Sequence, residues 1–287
     1  MQRVVGEAVS PNTIERISLE VGSELEEAES QQWESVLTGE VVVPELAIVE
    51  FDGGRIRTRK EGCGPGVHLS SKGWNETKNA IFVSASSSTS DSDPEPEPPE
   101  CFLNADHVAQ LADKAKTKEK QGANDDFPED NGEQDRKSKR SRAPHKPKRV
   151  LRTVISSLKN SQRFGEQMAR EARRRRFNEA SRKAFVADGL TCNWTIHQKH
   201  FADYTPILDF VHAVTYLYRA SLACFGELDS AWSAYCGWMR AAWQGNVEAV
   251  IIELHQQQER IGPPDEDANE EDPREQLRKV IGYLQNN

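Results

Sequence analysis

Two aspartates in this chain stand where metal ligands stand. Asp52 in "LAIVEFDGGRIRTRK" ends an apolar run rich in β-branched residues, Asp188 in "KAFVADG" ends a short hydrophobic run, and each is followed by glycine. Hard carboxylate oxygens at two adjacent strand ends are what a two-metal phosphoryl-transfer site uses. Mg²⁺ takes oxygen ligands, and the two ions must lie about 4 Å apart to clamp the attacking and leaving oxygens. The same residues also read as two Asp-Gly turns that hold no metal. Asp209 and His212, in "ILDFVHA", make a second acid and base pair, whose plainest reading is a helix cap and a histidine satisfied near the core. His197 and His200 are three residues apart near Cys192, but no second ligand pair accompanies them, so a zinc site is disfavoured.

The elements that must position these residues follow from periodicity. Strands are expected at 46–52, 54–60 and 79–86, the first two reversing at Gly53-Gly54 as a hairpin. Before them, Ser10-Pro11 opens a helix or helix pair with Ile14, Ile17, Val21 and Leu25 at helical spacing. After them, residues 87–148 are poor in apolar side chains and rich in Pro, Ser, Asp, Glu and Lys, which predicts a mostly unpacked insert with at most a short helix near 104–116. The fold resumes with "VLRTVISSL" and a basic helix whose Phe164, Met168 and Ala172 face inward. "KAFVADG" and "TPILDF" read as buried strands, and the next helix carries Val211, Val214, Tyr218 and Leu222 on its stripe. The last quarter is helical, with stripes at Trp232, Tyr235, Met239 and Trp243 and at Val247, Val250, Ile251 and Leu254. It closes on a helix capped by Asp272 that buries Leu277, Val280, Ile281 and Leu284.

Composition narrows the setting. Of 287 residues 36% are hydrophobic, which is thin for a chain packed throughout. Between Arg136 and Lys183 there are 18 Lys and Arg against 3 Glu, a net of +15 within a chain of formal charge −9, so an anionic partner is expected for that segment. Lys148, Arg149, Arg152 and the run Arg173, Arg174, Arg175 and Arg176 are its candidate phosphate contacts, with a solvated helix face as the alternative. No base-reading motif accompanies them, so weak sequence specificity is expected. Five cysteines without CxxC spacing argue against a disulfide framework or a structural zinc site. No signal peptide and no membrane-spanning run is visible, so a soluble, intracellular setting is expected.

Taken in order, "VEFDGGRIRTR", "GWNETK", "FVADGLTCNW" and "HFADYTPILDFVHAVTYLYRA" resemble the DDE transposases of the Kra-type insertion-sequence group, similar in plan to Mutator-like enzymes. The resemblance runs from the first strand through the helix after Asp209 and continues faintly to the C-terminus. It implies an α/β fold with a ribonuclease H-like mixed sheet flanked by helices. It also implies two Mg²⁺ or Mn²⁺ ions, cleavage and joining of DNA at element ends and target, and possible homo-oligomers. By position, Asp52 matches the first metal-binding aspartate and Asp188 the second, both catalytic; Asp209 and His212 match a supporting motif. Trp74 falls in a family Trp-Arg/Asn-Glu-x-Lys stretch, which makes Glu76 and Lys78 possible DNA contacts.

On this plan residues 1–40 are a helical remnant, 41–86 the first half of the core with three strands, 87–148 a disordered insert, 149–226 the second half and 227–287 a helical insertion. The family's third acid is a glutamate on a later helix, and Glu227, Glu248 and Glu253 lie inside the insertion instead. The expectation is therefore a fragment, shortened at both ends and inactive alone. The alternative is a non-catalytic DNA-binding or regulatory protein of the same origin. A third reading takes "KSKRSRAPHKPKR" as a nuclear import signal and leaves the aspartate pattern unexplained.

Overall fold

The computed structural model describes residues 2–4, 7–31, 42–58, 74–121, 145–265 and 267–287. The chain opens with an antiparallel ribbon of β1 (Gln2–Val4) and β2 (Glu7–Val9), followed by α1 (Pro11–Gln31), a single helix. A five-stranded mixed sheet follows, built from β3 (Leu46–Arg57), β4 (Trp74–Ser86), β5 (Lys148–Ser157), β6 (Arg182–Ala187) and β7 (Thr205–Leu208). Its order is β5-β4-β3-β6-β7, with β4 antiparallel to both neighbours and β3, β6 and β7 mutually parallel. The helices are α2 (Ala105–Gln121), α3 (Ser161–Arg174), α4 (Thr191–His200), α5 (Phe210–Cys224), α6 (Leu228–Trp243), α7 (Val247–Ile261) and α8 (Pro273–Asn286).

Strand alternation builds the first core. Ala47, Val49 and Phe51 of β3 share a face with Ala80 and Phe82 of β4 and with Phe185 and Ala187 of β6, and all are buried. Phe164, Met168 and Ala172 of α3 and Ile196 of α4 cover that face, and the ring of Phe51 lies 5.5 Å from that of Phe164. Asn160 starts α3 by accepting from the Arg163 amide, and Arg173 and Arg174 in its last turn suit the negative end of the helix dipole. The opposite sheet face is half open: Ile48, Ile81, Val83 and Val186 are only partly buried and Val154 is exposed.

Helices α2, α5, α6, α7 and α8 enclose the second core, with Leu217, Tyr235, Met239, Leu254 and Leu277 fully buried. The cap of α8 is as the sequence predicts, with Asp272 accepting from the Arg274 amide at 2.8 Å, Pro273 in the first turn and all four expected apolar residues buried.

Several expectations are corrected. There is no hairpin at Gly53-Gly54: β3 runs straight through, every residue from Asp52 to Arg57 facing β4 between Asn79 and Trp74, so residues 41–86 contribute two strands rather than three. Glycine permits a reversal without imposing one, and here straight pairing satisfies the backbone on both strands. At Gly54 a Cβ would come within 3.3 Å of the Asn79 and Thr77 side chains, so the glycine admits close cross-strand packing.

Within 87–148, the part that was expected to be unpacked is anchored from 95 to 112. Phe102, Val108 and Ala112 enter the helical core, Tyr235 donates to the Phe102 carbonyl at 3.0 Å, and Trp243 donates to that of Glu95 at 2.8 Å. A few well-spaced anchors suffice where average composition looks solvated; residues 122–144 lie outside the described residues. Strand β7 is not buried, because it forms the sheet edge and exposes Thr205, Pro206 and Ile207. The buried stripe of α5 is Ala213, Val214, Leu217, Ala220 and Cys224, while Val211 and Leu222 are exposed, because α5 is set by neighbours on more than one side. Among the described residues, no helix is long and apolar enough to cross a membrane.

Candidate functional site

Parallel register brings the acids together. Phe51 faces Ala187 and Ala187 faces Leu208, so Asp52 stands beside Asp188 and Asp209, which directly follow the ends of β6 and β7; Asp52 itself lies inside β3, where pairing with β6 stops and pairing with β4 continues, rather than at a strand end as expected. The Asp209 amide donates to the Ala187 carbonyl at 2.8 Å, which holds the third strand end against the second.

Each carboxylate is held differently. Asp188 Oδ1 accepts from the Leu190 amide at 3.1 Å and from Asn193 Nδ2 at 2.5 Å, and Asn193 is 1% exposed. Both bonds go to one oxygen, so Oδ2 is the side of Asp188 available to a cation. Its backbone is fixed as well: Tyr283 Oη of α8 donates to the Asp188 carbonyl at 3.1 Å, and Tyr283 stacks on Tyr216 with centroids 4.0 Å apart. Gly189 takes φ +91°, a left-handed conformation that favours glycine, and a Cβ there would meet the Asn287 side chain at 2.9 Å. Asn287 also accepts from Trp194 Nε1, so the end of α8 closes over the Asp188 turn. Asp52 is exposed on β3, facing Asn79.

Asp209 caps α5 by accepting from the Val211 amide at 2.9 Å, and its Oδ2 lies 3.0 Å from His212 Nδ1. Burial acts to raise the Asp209 carboxyl, but the hydrogen bonds from His212 and Val211 outweigh it and hold it below the usual carboxylate value. His212 is raised above the ordinary imidazole value by its hydrogen bond to Asp209, against the effect of burial, with the charges of Asp209, Asp188 and Asp52 adding to the shift. Glu50, two residues before Asp52 on the same strand face, is pushed up by partial burial and by the charges of Asp209 and Asp52, while Arg152 opposes the shift. Four carboxylates and one imidazole therefore share one electrostatic neighbourhood. Among the described residues, however, no three His, Cys, Asp or Glu side chains gather closely enough to hold a metal ion.

The basic residues fare unequally. Lys148, Arg149 and Arg152 are exposed along β5, and Arg173 is exposed on α3. Arg174 lies 3.3 Å from Glu171, and Arg176 is bound to Glu179 at 2.5 Å. Arg175 is buried, donating to the Phe82 carbonyl and to Thr153 Oγ1 at 2.8 Å each, and desolvation lowers its pKa. Lys78 is 7% exposed, with Nζ 3.2 Å from Glu76. As placed, neither Arg175 nor Lys78 faces a phosphate.

The other residues singled out in the sequence serve the fold. His197 Nε2 lies 2.8 Å from the Tyr204 carbonyl and its ring is 5.3 Å from that of Phe185, so it packs the sheet rather than pairing with His200. Glu227 and Glu253 line a cavity between α6 and α7, away from the strand ends. Cys101, Cys192, Cys224 and Cys236 are free thiols, and Cys63 lies outside the described residues.

Sequence reasoning missed Glu50, Asn193 and Tyr283. Strand alternation from Asp52 could have found Glu50, whereas nothing local ties Tyr283 to a residue 95 positions earlier. No family model, curated protein or solved structure matches the chain.

Proposed function

We propose that this chain is a ribonuclease H-like domain of the DDE transposase type, acting on DNA in transposition, with Asp52 and Asp188 as its metal-binding acids. The observation that carries this reading is the register that sets Asp52, at the point where β3 stops pairing with β6, beside Asp188, just past the end of parallel β6. The strand order supports it: renumbered within the sheet it is 3-2-1-4-5 with the second strand antiparallel, as in ribonuclease H-like cores. The donor set suits Mg²⁺ or Mn²⁺, since the ligands offered are carboxylate oxygens and both hydrogen bonds to the Asp188 carboxylate go to Oδ1. When bound, such ions polarise a phosphate and activate water as a nucleophile. The chain's own part is orientation: Asn193 and the Leu190 amide fix the Asp188 carboxylate, Tyr283 fixes its backbone, and His212, hydrogen-bonded to Asp209, holds that carboxylate beside the other acids. DNA is engaged through Lys148, Arg149, Arg152 and Arg173, each neutralised phosphate adding nearly one unit of log–log salt slope.

The test is Mn²⁺ binding followed by calorimetry. Asp52→Asn and Asp188→Asn are each expected to weaken binding at least tenfold without lowering Tm, and unaltered binding in both variants would refute the assignment. A second reading, a DNA-binding or regulatory protein without catalysis, is favoured by the lack of a three-residue metal cluster among the described residues. Incubation of the chain with duplex DNA and Mn²⁺ separates the two. No cleavage is expected from two acids alone, and cleavage abolished by Asp188→Ala would overturn both the second reading and the need for a further acid.

A further inference from the structure

Two surfaces of this chain are apolar, exposed and opposite in charge. Along α1, Ile14, Ile17, Val21 and Leu25 form one stripe, and Ile17, Val21 and Leu25 are 46%, 46% and 61% exposed. The helix carries six Glu and one Arg around that stripe. On the outer strand β5, Val150 and Val154 are 71% and 52% exposed; Val154 points to the open sheet face and Val150 sits at the bulge where pairing with β4 shifts, with Arg152 between them and Lys148 nearby. Pairing two copies of α1 would bring like charges together along the whole seam, which disfavours self-association.

Connectivity favours a contact within one chain. The segment from α1 enters the sheet at Leu46, which faces Ala85, and Ala85 faces Arg149. The entry point is thus two strand spacings, about 10 Å, from the start of β5. The 14 residues between Gln31 and Leu46 span up to roughly 45 Å when extended, so α1 can reach β5 from either end of the strand. A tether this short holds α1 at millimolar effective concentration over the sheet, on the order at which a modest apolar contact closes.

We propose that α1 packs across β5 of its own chain, laying Ile17, Val21 and Leu25 on Val150 and Val154 and setting its glutamates beside Lys148, Arg149 and Arg152. The contact covers the half-open sheet face from the level of Leu46, in line with Arg149, to that of Glu50, in line with Val154, two strands away from the acids. Acidic α1 then competes with any polyanion for β5. That consequence rests on the DNA reading given above; the docking itself does not.

The test uses the full chain and a variant carrying Ile17→Lys, Val21→Lys and Leu25→Lys, substitutions at exposed positions that leave both cores intact. Hydrogen exchange at the β5 amides is expected to run about tenfold faster in the variant, the change that a docking contact of about 1.4 kcal/mol produces. Zero-length carbodiimide coupling of the unaltered chain is expected to join Glu20, Glu24 or Glu27 to Lys148 within the monomer. Equal exchange in the two proteins overturns the proposal, and so does coupling confined to a covalent dimer, which would make the occupant a second copy. Affinity for duplex DNA at low salt is expected to rise about tenfold in the variant. Faster exchange with unaltered DNA affinity would uphold the docking and count against DNA at β5.

Discussion

The sheet buries one face and leaves the other half open, whereas the helical layer closes its core on every side. In the sheet, Val49 and Phe51 lie within a core of aromatic rings while Glu50 and Asp52, one residue on, project from the opposite face. In the helical layer, α5 is packed by α2, α6, α7 and α8, and its buried residues carry no charge: five are apolar and the other two are Thr215 and Ser221. A strand therefore offers what a helix in that layer lacks, a rigid backbone held by a dry core on one side with charges presented on the other. Asp188 and Asp209 extend the pattern at strand ends, and the helical layer reaches the site through the first turn of α5, with His212, and through the tip of α8.

Breaking the two cores separately tests this contrast most forcefully. Phe82→Ala removes a fully buried ring from the sheet face and is expected to cost about 3–5 kcal/mol in urea unfolding. Leu254→Ala in the helical core is expected to cost about 2–4 kcal/mol. A larger loss for Leu254→Ala would place the dominant core in the helices. Next comes the buried cation under the sheet: Arg175→Ala is expected to lose about 2–3 kcal/mol, because two acceptors lose their donor in a buried setting. Its salt slope for DNA should match that of the unaltered chain, and a fall of one unit would return Arg175 to the phosphate contacts.

Gly189→Ala probes the junction between the two regions. Positive φ and the Asn287 side chain both oppose a Cβ, so a loss of about 1–2 kcal/mol is expected, and Mn²⁺ affinity should fall with it if Asp188 moves. The smallest effect belongs to the Asp209–His212 pair, which is more than a third exposed on the histidine side. His212 is raised in the folded chain, so its contribution is complete below the ordinary imidazole pKa of 6.5 and is lost as pH rises through the folded value. Asp209 is lowered, so its contribution is present above 3.8 and is lost as pH falls through the folded value. After screening by solvent, each amounts to under about 1 kcal/mol. Tm measured across the neutral range should fall slightly as His212 deprotonates, and Asp209→Asn should flatten that trend.

What was legible in the sequence is what depends on neighbours in the chain. The period-4 pattern of Phe164, Met168 and Ala172 fixes the inner face of α3, and the Asp-Pro-x-Glu start of α8 fixes its cap, because helix contacts and caps are made within a few residues. The acids were equally visible as residues ending apolar runs. The path at Gly53-Gly54 was not, since two glycines are compatible with a reversal or a straight strand and only pairing with β4 chooses between them. The anchoring of 95–112 was hidden for a related reason: Phe102 and Val108 are buried by helices more than a hundred residues later.

Charge shows the same division. Four consecutive arginines are plain in the sequence, but a side chain's use depends on what lies beside it in space: Arg175 is spent on Phe82 and Thr153, and Arg174 and Arg176 on glutamates. The sequence by itself determined the inner faces of α3 and α8, the cap of α8 and which acids follow apolar runs. Tertiary structure alone decided that Asp52, Asp188 and Asp209 are neighbours, that Glu50 joins them and that Tyr283 steadies Asp188, because strand register and helix docking are non-local contacts that no local pattern encodes.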